Sequence, residues 1–408
     1  MSLKKLLIEI YQIGKSKMRI LRKLILNILL YPMYIISLFI PKSKNIWVFG
    51  SWFGNSFSDN SRYLYEHVVN NEKKIIPIWL TKNQNVIQEL RSKNLKCYHI
   101  NSIRGFYYTA RSKVIIVSQG LIDINKMGIS NQTKVLLWHG TPMKKIAYDD
   151  QINAHSYNKI LFASIEKIWN FFFPFDRENW ALITASSEEV KNKFITAFKS
   201  NINVVKVTGY PRYDIILSKK KLLKFEKSNK KLVLYAPTFR DNFFKFDFFK
   251  GLNFKKLELM LEQSNATFIV NVHPKLKLDE NIFKKYNNII INNFTDVNRL
   301  LAEVDILLTD YSSIYFDFLL KNRPIIFTPF DYDNYVNNNR KFYYKYSDFT
   351  PGKKCNNWDE TLNEIQNVFD GNDLYMSKRQ EMKKIFHKYE DLNNCNRIIN
   401  RIKKNKTK

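Results

Sequence analysis

The sequence predicts an α/β protein with two parallel sheets. Two observations carry this. From residue 45 onward, short apolar runs end in turn residues and are followed by amphipathic stretches, the alternation that parallel sheets covered on both faces require. The series then begins again after LSKKKLLKFEKSNKK (217–231), a lysine-rich linker. A chain of 408 residues suits two such domains, at about 100–200 residues each.

Taken in order, NIWVFGS (45–51) is a strand ending at Gly50, and NSRYLYEHVVN (60–70) is a helix. KIIPIWL (74–80) is a strand whose Pro77 suits an edge or a strand end. NQNVIQELRSKN (83–94) is helical. KVIIVSQG (113–120) and KVLLWHG (134–140) are buried strands, and ALITASSEEVKNKFITAF (181–198) is strand then helix. In the second series the strands are LVLYAP (232–237), TFIVNVHP (267–274), NIIINN (288–293), VDILLTDYSS (304–313) and RPIIFTPF (323–330), with helices at 251–264, 294–303 and 313–321. Two amphipathic helices, 358–369 and 378–404, close the chain. The predicted division is a basic, apolar segment (1–44), a first α/β domain (45–216), the linker (217–231), a second α/β domain (232–372) and a C-terminal helix with a basic tail (373–408). Neither half contains G-x-G-x-x-G or G-x-x-x-x-G-K-[ST], which disfavours a nicotinamide dehydrogenase or a P-loop ATPase.

The charge is +29, from 66 Lys and Arg against 37 Asp and Glu. Such an excess favours polyanionic partners: nucleic acid, an anionic membrane surface or phosphorylated substrates. Abundant Lys, Asn and Ile can equally reflect an AT-rich coding sequence. No RRM, KH or helix-turn-helix signature is present, so a nucleic-acid partner is not expected. Cys97, Cys355 and Cys395 are odd in number and widely spaced, which points to a reducing compartment. Near the N-terminus a basic stretch precedes LILNILLYPMYIISLFI (24–40), which Asn27, Pro32 and Ser37 interrupt. A helix lying in the interface of an anionic leaflet is favoured over a spanning helix or a buried one. KIWNFFFPFDRENW (167–180) is a second apolar stretch, read either as core or as a membrane contact.

In open α/β sheets ligands bind outside the carboxyl ends of the strands, and the unusual residues fall there. His139 follows VLLW, and His273 follows FIVNV. Thr238 and Arg240 close LVLYAPTFR, while Asp310, Ser312 and Ser313 follow DILL. Arg212 and Asp214 lie in GYPRYD. The two serines can cap a helix or hold a phosphate at its start. Lys144, Arg212, Arg240 and Lys275 supply positive charge, and a histidine can accept a proton from an attacking hydroxyl. DYD (331–333) has the form of an acidic metal-binding element, but so short a pattern is common by chance. No resident metal and no cofactor are expected.

WHGTPMKK, VTGYPRYD, LYAPTFRDN, VNVHPK and DILLTDYSSIYFDFLLKNRPIIF, in this order, resemble the CDP-glycerol glycerophosphotransferase family of teichoic-acid synthesis. The resemblance runs from about residue 47 to 355. It implies a GT-B fold, two Rossmann-like domains facing a cleft, with the first domain taking the acceptor and the second the CDP donor. It implies transfer of glycerol phosphate from CDP-glycerol, or of ribitol phosphate from CDP-ribitol, to a polyprenyl-linked acceptor at the cytoplasmic face of the membrane, with release of CMP. Some relatives build phosphodiester-linked capsules. By the same resemblance His139 is the general base and His273 contacts the donor diphosphate. Arg240 neutralises phosphate, and Ser312 and Ser313 seat the diphosphate, with Asp310 positioning their loop. Arg212 and Asp214 lie near the cleft. NRKFYYKYSDF (339–349) departs from the family pattern after the last strand. The competing expectations are a GT-B sugar transferase, which would release a nucleoside diphosphate, and a membrane-bound scaffold without catalysis.

Overall fold

The computed structural model describes residues 3–150, 159–218, 230–240, 246–272, 279–292, 296–338 and 340–404, without the side chains of 3–17, 19–20, 159–164 and 338. By backbone contacts it divides into two compact units. The first comprises Met1–Phe57, Tyr65–Leu136 and Tyr157–Ala181; the second comprises Ser58–Leu64, Leu137–Ser156 and Leu182–Lys408.

In the first unit the strands β1 (Ser43–Gly50), β2 (Ile76–Thr81), β3 (Cys97–His99), β4 (Ser112–Val117) and β5 (Thr133–Leu136) are parallel, in the order β3-β2-β1-β4-β5. Trp47, Val48 and Phe49 of β1 and Val114, Ile115 and Ile116 of β4 are fully buried, as strands covered on both faces must be. Pro77 pairs with Trp47, but β3 joins β2 only from Trp79 onward, so the proline's missing N–H falls at the strand's unpaired end.

Helix α1 (Leu3–Phe39) is continuous through Pro32. The polar residues that break the apolar run face the protein. Asn27 donates to Asp176 at 3.0 Å and Ser37 donates back to the Tyr34 carbonyl at 2.7 Å. Asp176 also receives Lys23 and Lys126, each at 2.9 Å, and the indole N–H of Trp169. Burial would raise its carboxyl, but these cations hold it well below the usual range. The opposite face of α1 exposes Ile25, Leu26, Ile28, Leu29, Ile36 and Phe39. The stretch Leu21–Phe39 is long and apolar enough to cross a membrane by length and composition. The second apolar stretch divides: Phe173 and Phe175 are buried against Tyr31 and Tyr34, while Phe171 and Phe172, at the end of the helix Lys159–Phe172, are exposed.

In the second unit β6 (Leu182–Ala185) and β7 (Val205–Val207) pair in parallel. A six-stranded parallel sheet is built from β8 (Lys231–Tyr235), β9 (Ala266–Val270), β10 (Ile289–Ile291), β11 (Ile306–Thr309), β12 (Ile325–Phe327) and β13 (Lys353–Lys354), in the order β10-β9-β8-β11-β12-β13. One face buries Val233, Phe268 and Leu308 with Trp358 and Leu362 of the helix Trp358–Phe369. The expected helix 378–404 is two helices, Met376–Phe386 and Asn394–Lys404. The break begins at His387, whose backbone is extended and whose buried Nε2–H donates to the Phe316 carbonyl at 2.7 Å. The second helix starts where Asp214 accepts the N–H groups of Asn394 and Cys395, each at 3.0 Å.

Candidate active site

His139 lies in a turn whose backbone is fixed on both sides. Trp138 adopts a left-handed φ of 56°, which a bulky residue holds only when its surroundings demand it. The Asn60 side chain holds the Trp138 carbonyl at 2.8 Å, and the Trp138 ring packs on Phe198 with centroids 4.9 Å apart. Gly140 has φ 139°, and a Cβ there would lie 2.6 Å from the Arg212 guanidinium. Only glycine fits this close approach.

Arg212 sets that approach. It is buried, donates to the His139 carbonyl at 2.8 Å, and is shared between Asp59 at 2.8 Å and Asp317 at 2.7 Å. Burial alone would lower its pKa; the carboxylates of Asp317 and Asp59 override this and hold it above the ordinary value. One cation thus ties the turn before the helix Asp59–Asn71, the HGTP turn and the helix Ile314–Phe318.

A second triad shapes the neighbouring loops. Arg240 lies between Asp310 at 2.8 Å and Asp331, which takes its Nε and Nη2 at 2.9 Å each. It also donates to the Thr238 carbonyl at 2.6 Å, while Asp310 accepts the Thr238 N–H at 2.7 Å. Its guanidinium carbon lies 4.9 Å from the Tyr311 ring centroid and 4.7 Å from that of Tyr335. These two rings stack with centroids 3.9 Å apart. The charge of Arg240 is therefore already balanced by two carboxylates. Asp331, the first residue of the acidic DYD element, is occupied by this arginine.

Between these networks, within the second unit, opens a cavity of about 210 Å³ lined by His139, Lys144, Thr238, Ser312, Ser313 and Arg340, with Trp138 and Tyr311. The Thr238 hydroxyl is buried without a hydrogen-bond partner among the described residues. Among the described residues the Ser312 hydroxyl makes only a long contact, 3.4 Å, to the Ile314 N–H, and Ser313 makes no side-chain cap. Lys144 donates to the Tyr335 hydroxyl. The stretch after residue 339 adjoins this wall: Lys144 bridges Phe342, Lys145 N–H donates to the Lys341 carbonyl at 2.8 Å, and Arg340 lines the cavity. The site joins an imidazole, three hydroxyls and two cations, a set suited to an anionic donor and a hydroxyl nucleophile.

Of the sequence-predicted residues, His139, Lys144, Thr238, Ser312 and Ser313 share this cavity. Asp310, Arg240 and Arg212 stand behind it and hold its loops. Asp214 does not line it, since its carboxylate is spent on the start of the last helix. His273 and Lys275 lie outside the described residues. Sequence reasoning reached Arg340 only as part of the divergent stretch 339–349, and it missed Asp59, Asn60, Asp317 and Tyr335. Asp317 alone carried a signal, as a carboxylate inside the apolar run SSIYFDFLL.

A parallel α/β fold whose second unit gathers hydroxyls, cations and an imidazole in one cavity defines an enzyme suited to an anionic, phosphate-bearing substrate. More narrowly, the chain belongs to the CDP-Glycerol:Poly(glycerophosphate) glycerophosphotransferase family, whose profile matches residues 32–404. It is similar to a teichoic acid poly(ribitol-phosphate) polymerase of Bacillus spizizenii, 28% identical over 373 residues, covering 86% of this chain and 56% of that protein. It is also similar to a teichoic acid poly(glycerol phosphate) polymerase of the same organism, 29% identical over 334 residues, covering 77% of this chain and 81% of that protein. The solved structure of the wall teichoic acid polymerase TagF superposes with a TM-score of 0.73 at 22% identity, covering 97% of this chain and 98% of that one. That last likeness is one of fold.

Proposed function

We propose that the protein transfers glycerol phosphate from CDP-glycerol to a hydroxyl of a polyprenyl-linked saccharide or growing polymer, in teichoic-acid or related cell-surface polymer synthesis. The observation that supports this best is the cavity that sets His139 against Thr238, Ser312 and Ser313. The acceptor hydroxyl gives its proton to the His139 imidazole while its oxygen attacks the phosphorus that carries glycerol. The new O–P bond forms as the P–O bond to CMP breaks, and CMP leaves with that electron pair. The step needs positioning and charge neutralisation more than covalent help. Ser312, Ser313 and the unpartnered Thr238 hydroxyl hold the diphosphate, and Lys144 and Arg340 offset its charge. Asp310 and Arg240 hold the donor loop, and Arg212 fixes the His139 carbonyl. His273 is kept as a donor contact on the ground of its VHP motif. In this reading residues 45–216 take the acceptor and 232–372 the donor.

The exposed apolar face of α1 and its basic N-terminal residues suit peripheral binding to the cytoplasmic face of an anionic membrane, where a lipid-linked acceptor is presented. A CDP-ribitol donor is the second reading, favoured by the poly(ribitol-phosphate) relative that aligns over 86% of this chain. One experiment tests both. Purified protein is incubated with CDP-glycerol or CDP-ribitol and a lipid-linked disaccharide, and the released nucleotide is identified. CMP from one of the two donors is expected; a nucleoside diphosphate released from added nucleotide sugars would instead assign a sugar transferase.

A further inference from the structure

The first unit carries a cavity of its own, about 460 Å³, at the carboxyl end of β3. Its wall is formed by Arg91 from the helix Gln84–Ser92, Tyr98 and His99 from β3, and Ser102 and Arg104 at the start of the helix Ile103–Arg111. No carboxylate lines it. The guanidinium carbons of Arg91 and Arg104 each lie 5.9 Å from the Tyr98 ring centroid, and that ring stacks on Tyr108 with centroids 4.9 Å apart. Arg91 spends its Nε–H on the Cys97 carbonyl at 3.3 Å. Among the described residues neither arginine meets a carboxylate. Glu89, on the same helix as Arg91, is held by Lys93 at 2.6 Å. His99 accepts the Asn101 N–H on Nδ1 at 3.2 Å, which leaves its ring proton on Nε2 as a donor. Two guanidinium forks and an imidazole N–H thus line one cavity with no acceptor among them. Aromatic support holds the forks in place.

Resting on the function proposed above, we propose that this cavity binds a phosphodiester group of an acceptor that already carries alditol phosphate units. Guanidinium forks match phosphate oxygens in pairs, and these charge-assisted bonds are the strong ones. The strand order places β3 four strands from β5, about 19 Å along the carboxyl edge at the usual strand spacing. A polyanionic chain lying along that edge leaves a phosphate at Arg91 and Arg104. The cavity therefore favours chain extension over transfer to an unprimed saccharide.

The test compares two acceptors, a lipid-linked saccharide with several glycerol phosphate units and the same saccharide without them. In Arg91→Ala/Arg104→Ala the ratio of kcat/KM for the first over the second is expected to fall about tenfold or more. Arg104→Ala alone, an exposed residue whose contact is the Tyr98 ring, gives a smaller fall without a change in thermal midpoint. Lysine at both positions restores part of the ratio. Calorimetry with soluble poly(glycerol phosphate) and sedimentation with phosphatidylglycerol vesicles separate the two sources of phosphate. Weakened polymer binding supports the proposal. A loss confined to vesicle binding overturns it in favour of a lipid headgroup. An unchanged ratio with transfer intact overturns the subsite and leaves the activity standing. If the wild type transfers to neither acceptor, the activity fails, and the calorimetric comparison still decides the subsite.

Discussion

Removing the Arg212 side chain, as Arg212→Ala, strands the carboxylates of Asp59 and Asp317, both buried beside the HGTP turn. Breaking a buried ion pair by deleting one partner costs about 3–5 kcal/mol. Protonation limits the loss. An aspartate with an ordinary pKa near 3.9 can be neutralised at pH 7 for about 4 kcal/mol, and at pH 5 for about 1.5 kcal/mol. In the variant one of the two stranded carboxyls takes up a proton and binds it more tightly folded than unfolded. The native state then holds more protons than the unfolded one over this range, and the variant's stability rises as pH falls. The deficit against wild type, measured by urea unfolding, should shrink from about 4 kcal/mol at pH 7 to about 1.5 kcal/mol at pH 5. Adding Asp59→Asn and Asp317→Asn to the variant should recover more than half of the loss at pH 7. A deficit below about 1 kcal/mol, or one unchanged between pH 7 and pH 5, would refute the view that a desolvated cation holds this turn.

His139→Ala should lower kcat by about 10²–10⁴-fold while donor affinity by calorimetry is largely kept; near-wild-type turnover would remove it from catalysis. Thr238→Val, and Ser312→Ala with Ser313→Ala, should each weaken CDP-glycerol binding several-fold, and unchanged affinity in both would move the donor elsewhere. Burial lowers the His387 pKa to about 4, so the unfolded state binds the extra proton first and stability is lost as pH falls from about 6.5 towards 4. The difference in unfolding free energy between wild type and His387→Asn should therefore change by about 3 kcal/mol across that window, and a flat difference would count against a neutral buried ring. Asp176→Ala, which removes the partner of both Lys23 and Asn27, should free α1, read as faster proteolysis before residue 40; an unchanged cleavage rate would count against that anchor.

The parallel strands were legible because each is a short apolar run with its chemistry at the carboxyl end, and every predicted strand among the described residues has a counterpart in the two sheets. The missed features are those that local sequence cannot carry. The break at 387–393 depends on Asp214, some 180 residues away, which supplies the N–H acceptors for a new helix start. The polar and aromatic face of α1 likewise finds its partners, Asp176 and Phe175, far along the chain. In both cases the deciding contact is long-range.

The same asymmetry governs the site. His139, Ser312 and Ser313 could be picked out because their residue types at strand ends invite chemistry. Arg212 and Arg240 are cations in the same motifs, and sequence alone offers no way to separate a cation that meets substrate from one that holds backbone. The geometry separates them by their partners. Each of the two arginines faces two carboxylates and one backbone carbonyl, His139 for Arg212 and Thr238 for Arg240. The groups that face the cavity, by contrast, are a lysine resting on a phenol, an exposed arginine and hydroxyls with little or no protein partner. An arginine held by two carboxylates and a backbone carbonyl fixes the turn that carries His139 and the loop that carries Thr238 before any ligand arrives. In the function proposed above, that preorganisation is what would let a single imidazole and a few hydroxyls serve where a transition state spreads its charge over phosphate oxygens.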